Sequence, residues 1–118
     1  MKNDFKLITT GYLYSPWAGK LREYAGEVYH QAEYRAFPSN FIIPEHTHFL
    51  AKDEHGRTIK KFDCAAYEGE VRNKVVWLSE RDPHKAAAIL IEHEEDQIAK
   101  LRLKIRNHED LIESLKAI

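Results

Sequence analysis

The sequence predicts an α+β protein: a small, mainly antiparallel β-sheet domain over residues 1–82, then a long C-terminal helix over 83–118 forming a coiled coil or helical oligomer interface. Three observations predict it. Every aromatic residue lies between Phe5 and Trp77 and none in the tail, so the head builds the core. Pro83 to Ile118 contains no Gly and no further Pro, so nothing interrupts a helix there. Within it, Ile91, Ile98, Leu101, Ile105, His108, Ile112 and Leu115 recur at heptad spacing, keeping one helix face toward a partner.

The head elements follow in order. Phe5 to Tyr14 is rich in Thr, Tyr and branched residues and reads as a strand ended by Ser15-Pro16. Glu27 to Phe37 reads as a second strand. Trp17, Leu21, Tyr24 and Val28 would also fit one helical face, but Gly19 and Gly26 each weaken a helix by about 1 kcal/mol relative to Ala. Pro38-Ser39-Asn40 forms a turn, and Pro44 places the Phe41–Phe49 stretch at an edge or in a loop.

His48–Lys52 and Arg57–Phe62 flank Asp53-Glu54-His55-Gly56, where Gly supplies the positive φ of a tight hairpin. Val75-Val76-Trp77-Leu78 is a buried strand, giving a sheet of four or five strands. Asp82 caps the helix and Pro83 takes its first position, with Ser79 as a competing cap. At 1.5 Å per residue the tail reaches roughly 54 Å, beyond the width of the head, so part of it packs elsewhere.

At 118 residues the chain has surface for one small core. Eighteen basic against 19 acidic residues leave no global field toward nucleic acid or anionic membrane, so any electrostatic binding is local. The lone Cys64 rules out an intramolecular disulfide and fits a reducing cytoplasm. The N-terminus lacks a signal-peptide core, and the longest strongly apolar run, Ala86–Ile91, is too short for a bilayer, so no membrane role is expected.

The tail predicts self-association. Ile in the first core position with Leu in the second favours two helices, whereas folding back onto the sheet is the competing reading. Glu94 and His108 interrupt the second position, where polar residues fix register. Charge runs in blocks: Glu92 to Asp96 acidic, Lys100 to Arg106 basic, Glu109 to Glu113 acidic. An antiparallel pair centred near Ile98 sets acidic against basic blocks, which favours that direction. Lys100, Arg102, Lys104 and Arg106 are either a solvated face or a seat for an anionic ligand.

The sequence carries no strong catalytic or cofactor motif. His46 and His48 sit two apart, and on a strand would face one side, but no Cys-x-x-Cys or His-Glu-x-x-His accompanies them or His55, so no metal is assigned. His93 to Asp96 point in different directions on a helix and cannot converge. Cys64 lacks a nucleophile signature and reads as structural. The glycines are isolated, with no phosphate-cradling loop, so no cofactor is expected and no enzyme. Arg57, Lys60 and Lys61 make a basic strand edge of the kind that prevents edge-to-edge aggregation. Tyr24, Tyr29, Tyr34 and Tyr67 are amphipathic and can stack on a base or anchor an interface; Tyr29 and Tyr34 join the tail's basic residues as candidate ligand groups.

The order of an aromatic-rich β domain, Val75-Val76-Trp77-Leu78, then Asp82-Pro83-His84-Lys85-Ala86 opening a heptad helix resembles small accessory proteins of tailed bacteriophages. Some of these resemble antagonists of bacterial immunity, including oligomeric sponges for cyclic nucleotide signals. The resemblance implies a host-cytoplasmic, anti-defence inhibitor that binds a host protein or a small anionic nucleotide. The alternative is a nucleic-acid-binding accessory module using Lys100–Arg106 and the head tyrosines.

Overall fold

The computed structural model describes residues 5–36 and 41–118. They form β1 (Phe5–Trp17), β2 (Lys20–Gln31), β3 (Tyr34–Ala36), β4 (Phe41–Ile43), β5 (His46–Lys52), β6 (Thr58–Asp63), β7 (Val76–Leu78) and one helix, α1 (Pro83–Lys116). A five-stranded sheet runs β6-β5-β2-β1-β7, and β3 pairs with β4 separately. Every pairing is antiparallel. The chain is therefore α+β, as its residue pattern predicts.

β1 and β2 form one long hairpin paired from Phe5↔Gln31 to Trp17↔Lys20. Ser15-Pro16 does not end β1. Beyond Tyr14 that strand has a neighbour on one side only, since β7 covers just Tyr12–Tyr14, and an open edge tolerates a residue without N–H. The reversal comes at Ala18 and Gly19, with φ of 53° and 76°, the left-handed pair that a two-residue hairpin turn demands. β2 accordingly begins at Lys20, six residues before Gly26 and not after it.

Gly26 lies mid-strand because a Cβ there would overlap the Leu50 carbonyl oxygen and come within 2.8 Å of the Phe49 ring. It marks a close approach of β2 to β5 and not a helix breaker. The strand expected over Glu27–Phe37 divides: β2 stops at Gln31 and β3 is a separate short strand. The Pro38-Ser39-Asn40 turn lies outside the described residues. Pro44 does separate β4 from β5, but β5 is an interior strand between β2 and β6, because its apolar positions Phe49 and Ala51 are fully buried.

The Asp53–Gly56 turn forms as expected. Gly56 takes φ 78°, and Asp53 Oδ1 accepts the backbone N–H groups of His55 and Arg57, each at 2.9 Å. A carboxylate holding donors this way sits below its ordinary pKa, first through the Arg57 N–H.

Both sheet faces are packed. One carries Leu13, Val28, Phe49, Ala51, Cys64, Val75 and Trp77, with Tyr24 and Phe62 at its margin. The Trp77 indole N–H closes it by donating to the Ala65 carbonyl at 2.8 Å. The other carries Tyr14, Val76 and Leu78 and is completed by Ala86 and Leu90 of α1. Each large side chain buried this way contributes about 1.5–3 kcal/mol.

Candidate functional site

Asp82 caps α1, its Oδ1 accepting the Lys85 N–H at 3.0 Å, and Pro83 opens the helix. Ser79 is not the cap: its N–H and hydroxyl both bind Glu68 Oε2 at 3.0 Å. Beyond Leu90 the helix leaves the head, with only His93 and Gln97 half-buried, and every residue from Ile98 onward is exposed. The tail does not fold back on the sheet.

The heptad stripe is thereby uncovered: Ile91 is 59% exposed, Ile98 46%, Leu101 58%, Ile105 59%, Ile112 51% and Leu115 58%, with His108 among them also exposed. These side chains form an exposed apolar seam that His108 interrupts. Leu111 and Ile118 lie beside the stripe, and Leu103 lies opposite it.

The basic block is split. At 3.6 residues per turn Arg102 and Arg106 share one face, where they line a shallow groove with Ala99 and Leu103, while Lys100 and Lys104 share another. The four do not converge on one anion within one chain. The candidate tyrosines are elsewhere. The half-buried Tyr29 donates its hydroxyl to Glu27 at 3.0 Å and stacks on His48 with ring centres 5.7 Å apart, while Tyr34 belongs to the β3–β4 pair. Neither meets the tail's basic residues, which stand on the free part of the helix.

A different aromatic and basic cluster emerges on the sheet. In the β1–β2 register Leu13 faces Tyr24, Ser15 faces Arg22 and Trp17 faces Lys20, so these residues share one sheet face. β6 adds Phe62 and Lys60. The Tyr24 and Phe62 rings lie 5.0 Å apart, and Lys60 Nζ stands 5.0 Å from the Phe62 centroid and 5.9 Å from that of Tyr24. Ser15, Trp17, Arg22, Tyr24 and Lys60 line a shallow groove.

Trp17 is 65% exposed, and none of Lys20, Arg22 or Lys60 is ion-paired to a carboxylate among the described residues. Glu23 and Glu27 alternate onto the opposite face, where Arg81 and Lys52 hold them. An indole, a phenol and unpaired cations suit a flat, anionic ligand. The residue pattern alone does not reveal this cluster, because Trp17 and Arg22 come together only through the register of a hairpin that continues past Ser15-Pro16, where the sequence predicts the strand to end.

His46 and His48 stack at 5.9 Å on β5. Burial, then Lys61 and His46, push the His48 imidazole below its ordinary value. The described residues hold no group of three or more His, Cys, Asp or Glu placed to bind a metal. Cys64 is fully buried and its thiol is pushed up to about 12 by burial and then by Asp63, the reverse of an activated nucleophile. Of the basic strand edge, Lys60 stands over the Phe62 and Tyr24 rings while Arg57 pairs with Asp53 at 3.1 Å. No helix among the described residues is long and apolar enough to cross a membrane.

The chain matches no family model, no curated protein and no solved structure.

Proposed function

We propose that this chain is a non-enzymatic, self-associating binding protein. Its tail joins copies of the chain, and the groove between Trp17, Arg22, Tyr24 and Lys60 takes up an anionic ligand with a flat ring, the chemistry of a nucleotide. The observation that carries the reading is the uncovered stripe from Ile98 to Leu115, an apolar seam at heptad spacing on a helix that has left its own head. The resemblance to phage accessory proteins supplies the setting: a host process, defence in particular, blocked by holding a small nucleotide signal or a host protein.

The test is the solution mass of the purified chain by light scattering, followed by native mass spectrometry for a co-purified small molecule. A dimer or higher oligomer with added mass supports the whole reading. A monomer at tens of micromolar removes the self-association.

A second reading, a single-stranded nucleic-acid module, is favoured by the same groove, because bases stack on aromatics while cations hold the backbone. Titration with mononucleotides and with a short single-stranded oligonucleotide at several salt concentrations separates the two. Binding that needs the oligonucleotide and falls steeply with salt supports the module. Binding saturated by a mono- or dinucleotide supports sequestration.

A further inference from the structure

We infer that a second copy of this chain covers the stripe from Ile98 to Leu115 in antiparallel orientation, with Ile98 against the partner's Leu115. The inference rests on the self-association proposed above and adds its direction and register. Ile98, Ile105 and Ile112 hold the first core position of the heptad, and Leu101, His108 and Leu115 the second. In an antiparallel pair first-position residues face second-position ones. This register therefore stacks Ile98 on the partner's Leu115, Leu101 on the partner's Ile112 and Ile105 on the partner's His108, and symmetry repeats the set.

Flanking charges select this register. Beside the seam Arg102 meets the partner's Glu109, and Glu95 meets the partner's Lys116. Sliding the partner one heptad toward the head sets Arg102 against the partner's Arg102 and Glu95 against the partner's Glu109. Sliding it one heptad outward sets Arg102 against the partner's Lys116 and Glu109 against the partner's Glu109. Either slip turns attraction into repulsion. A parallel pair puts Glu94 on the partner's Glu94 and His108 on the partner's His108 in the seam, where a like-charge contact is disfavoured.

The same register covers apolar surface that the heptad stripe leaves out. Leu111, 55% exposed, lies under the aliphatic stem of the partner's Lys104, and the fully exposed Ile118 reaches the partner's Gln97. Gln97 is half-buried where the helix leaves the head, so the partner's tip stops where the free helix starts. An antiparallel pair centred on Ile98 would instead drive each tip past Pro83, over Ala86 and Leu90, which already pack on the sheet. The dyad lies between Arg106 and Asn107, and the two heads stand at opposite ends of the rod.

Disulfide trapping tests this. Ile98→Cys and Leu115→Cys are prepared as separate full-length variants, with the buried Cys64 left in place, then mixed, oxidised and resolved by mass spectrometry. The expected product is the mixed 98–115 dimer, in excess over either like-with-like dimer. Dominant 98–98 and 115–115 dimers would overturn the antiparallel direction. No disulfide in a sample whose light-scattering mass is dimeric would overturn the register alone, whereas a monomeric mass would remove the self-association itself. A charge swap gives an independent reading: Arg102→Glu and Glu109→Arg each weaken dimerisation about tenfold, and together in one chain restore it. Failure to restore overturns the register, because a parallel pair sets Glu109 against Lys104 instead.

Discussion

The hydroxyl of Tyr14 accepts a hydrogen bond from the backbone N–H of Asp82 at 2.9 Å while donating one to Glu23 Oε1 at 2.7 Å. A residue of the central hairpin thus holds the residue that caps the long helix. Arg81 completes the link, its Nε donating to Glu23 Oε2 at 2.8 Å. The direction in which the tail leaves the head is set here, with Ala86 and Leu90 seated on Tyr14, Val76 and Leu78.

Replacing Tyr14 by Phe keeps the buried ring but leaves Asp82 N–H and Glu23 without that partner. The expected cost is about 1–3 kcal/mol. Urea denaturation should show a lower midpoint at unchanged slope; an unchanged midpoint would mean the hydroxyl contributes nothing.

The same link predicts a pH profile. Burial alone would raise Glu23, but hydrogen bonds from Arg81 and Tyr14 outweigh it and hold the carboxyl below its ordinary 4.5. A depressed carboxyl stabilises the fold above its unfolded value, and that contribution is lost as pH falls below about 4.5 through the folded value. Tyr14 behaves oppositely. Burial, then Glu23, raise its phenol from 10.0 to about 12, so its contribution is complete below pH 10 and lost as pH rises through about 12. Denaturation midpoints across pH should show both limbs, with Glu23→Gln flattening the acid one and Tyr14→Phe the alkaline one.

Gly26→Ala should be among the most damaging single changes in the head, because its methyl would overlap the Leu50 carbonyl across the β2–β5 ladder. A loss of about 2–4 kcal/mol is expected in thermal or urea unfolding. Gly56→Ala, in open space but at φ 78°, should cost only about 1 kcal/mol.

The double variant Ile98→Asp with Ile105→Asp should abolish oligomerisation and leave the head's unfolding transition in place, since both side chains are exposed and touch no core residue. Light scattering reads the first effect and near-ultraviolet circular dichroism the second. Loss of the head's signal would mean the tail contributes to its core.

Trp17 is exposed while Trp77 is buried, so fluorescence quenching by an added nucleotide should report the groove. Trp17→Phe should remove the signal. Arg22→Ala and Lys60→Ala should each weaken binding about tenfold; Arg22→Ala should leave the melting temperature in place, being a surface cation without an ion-paired partner among the described residues, whereas Lys60→Ala also removes the cation over the Phe62 and Tyr24 rings, worth about 0.5–1 kcal/mol.

Much of this architecture is readable locally. The Asp53–Gly56 hairpin, the buried Val76–Leu78 strand and the Asp82-Pro83 helix start each depend on a few adjacent residues with special backbone demands, and those demands survive any tertiary context. The reading failed at Pro16 and Gly26 for one reason. Whether a missing N–H or a missing Cβ breaks a strand depends on what lies beside it, and β7 and β5 come from far along the chain.

The β-rich head and the helical tail are both legible in the residues alone, because the aromatic residues stop at Trp77 and heptad spacing takes over beyond Pro83. So is the set of tail residues that share a face, since helix periodicity is intrinsic to the backbone. Packing alone leaves this face uncovered and brings Trp17, Arg22, Tyr24 and Lys60 into one groove. Exposure and convergence are properties of strand register and packing, set by contacts between residues distant in sequence, and no local pattern encodes them.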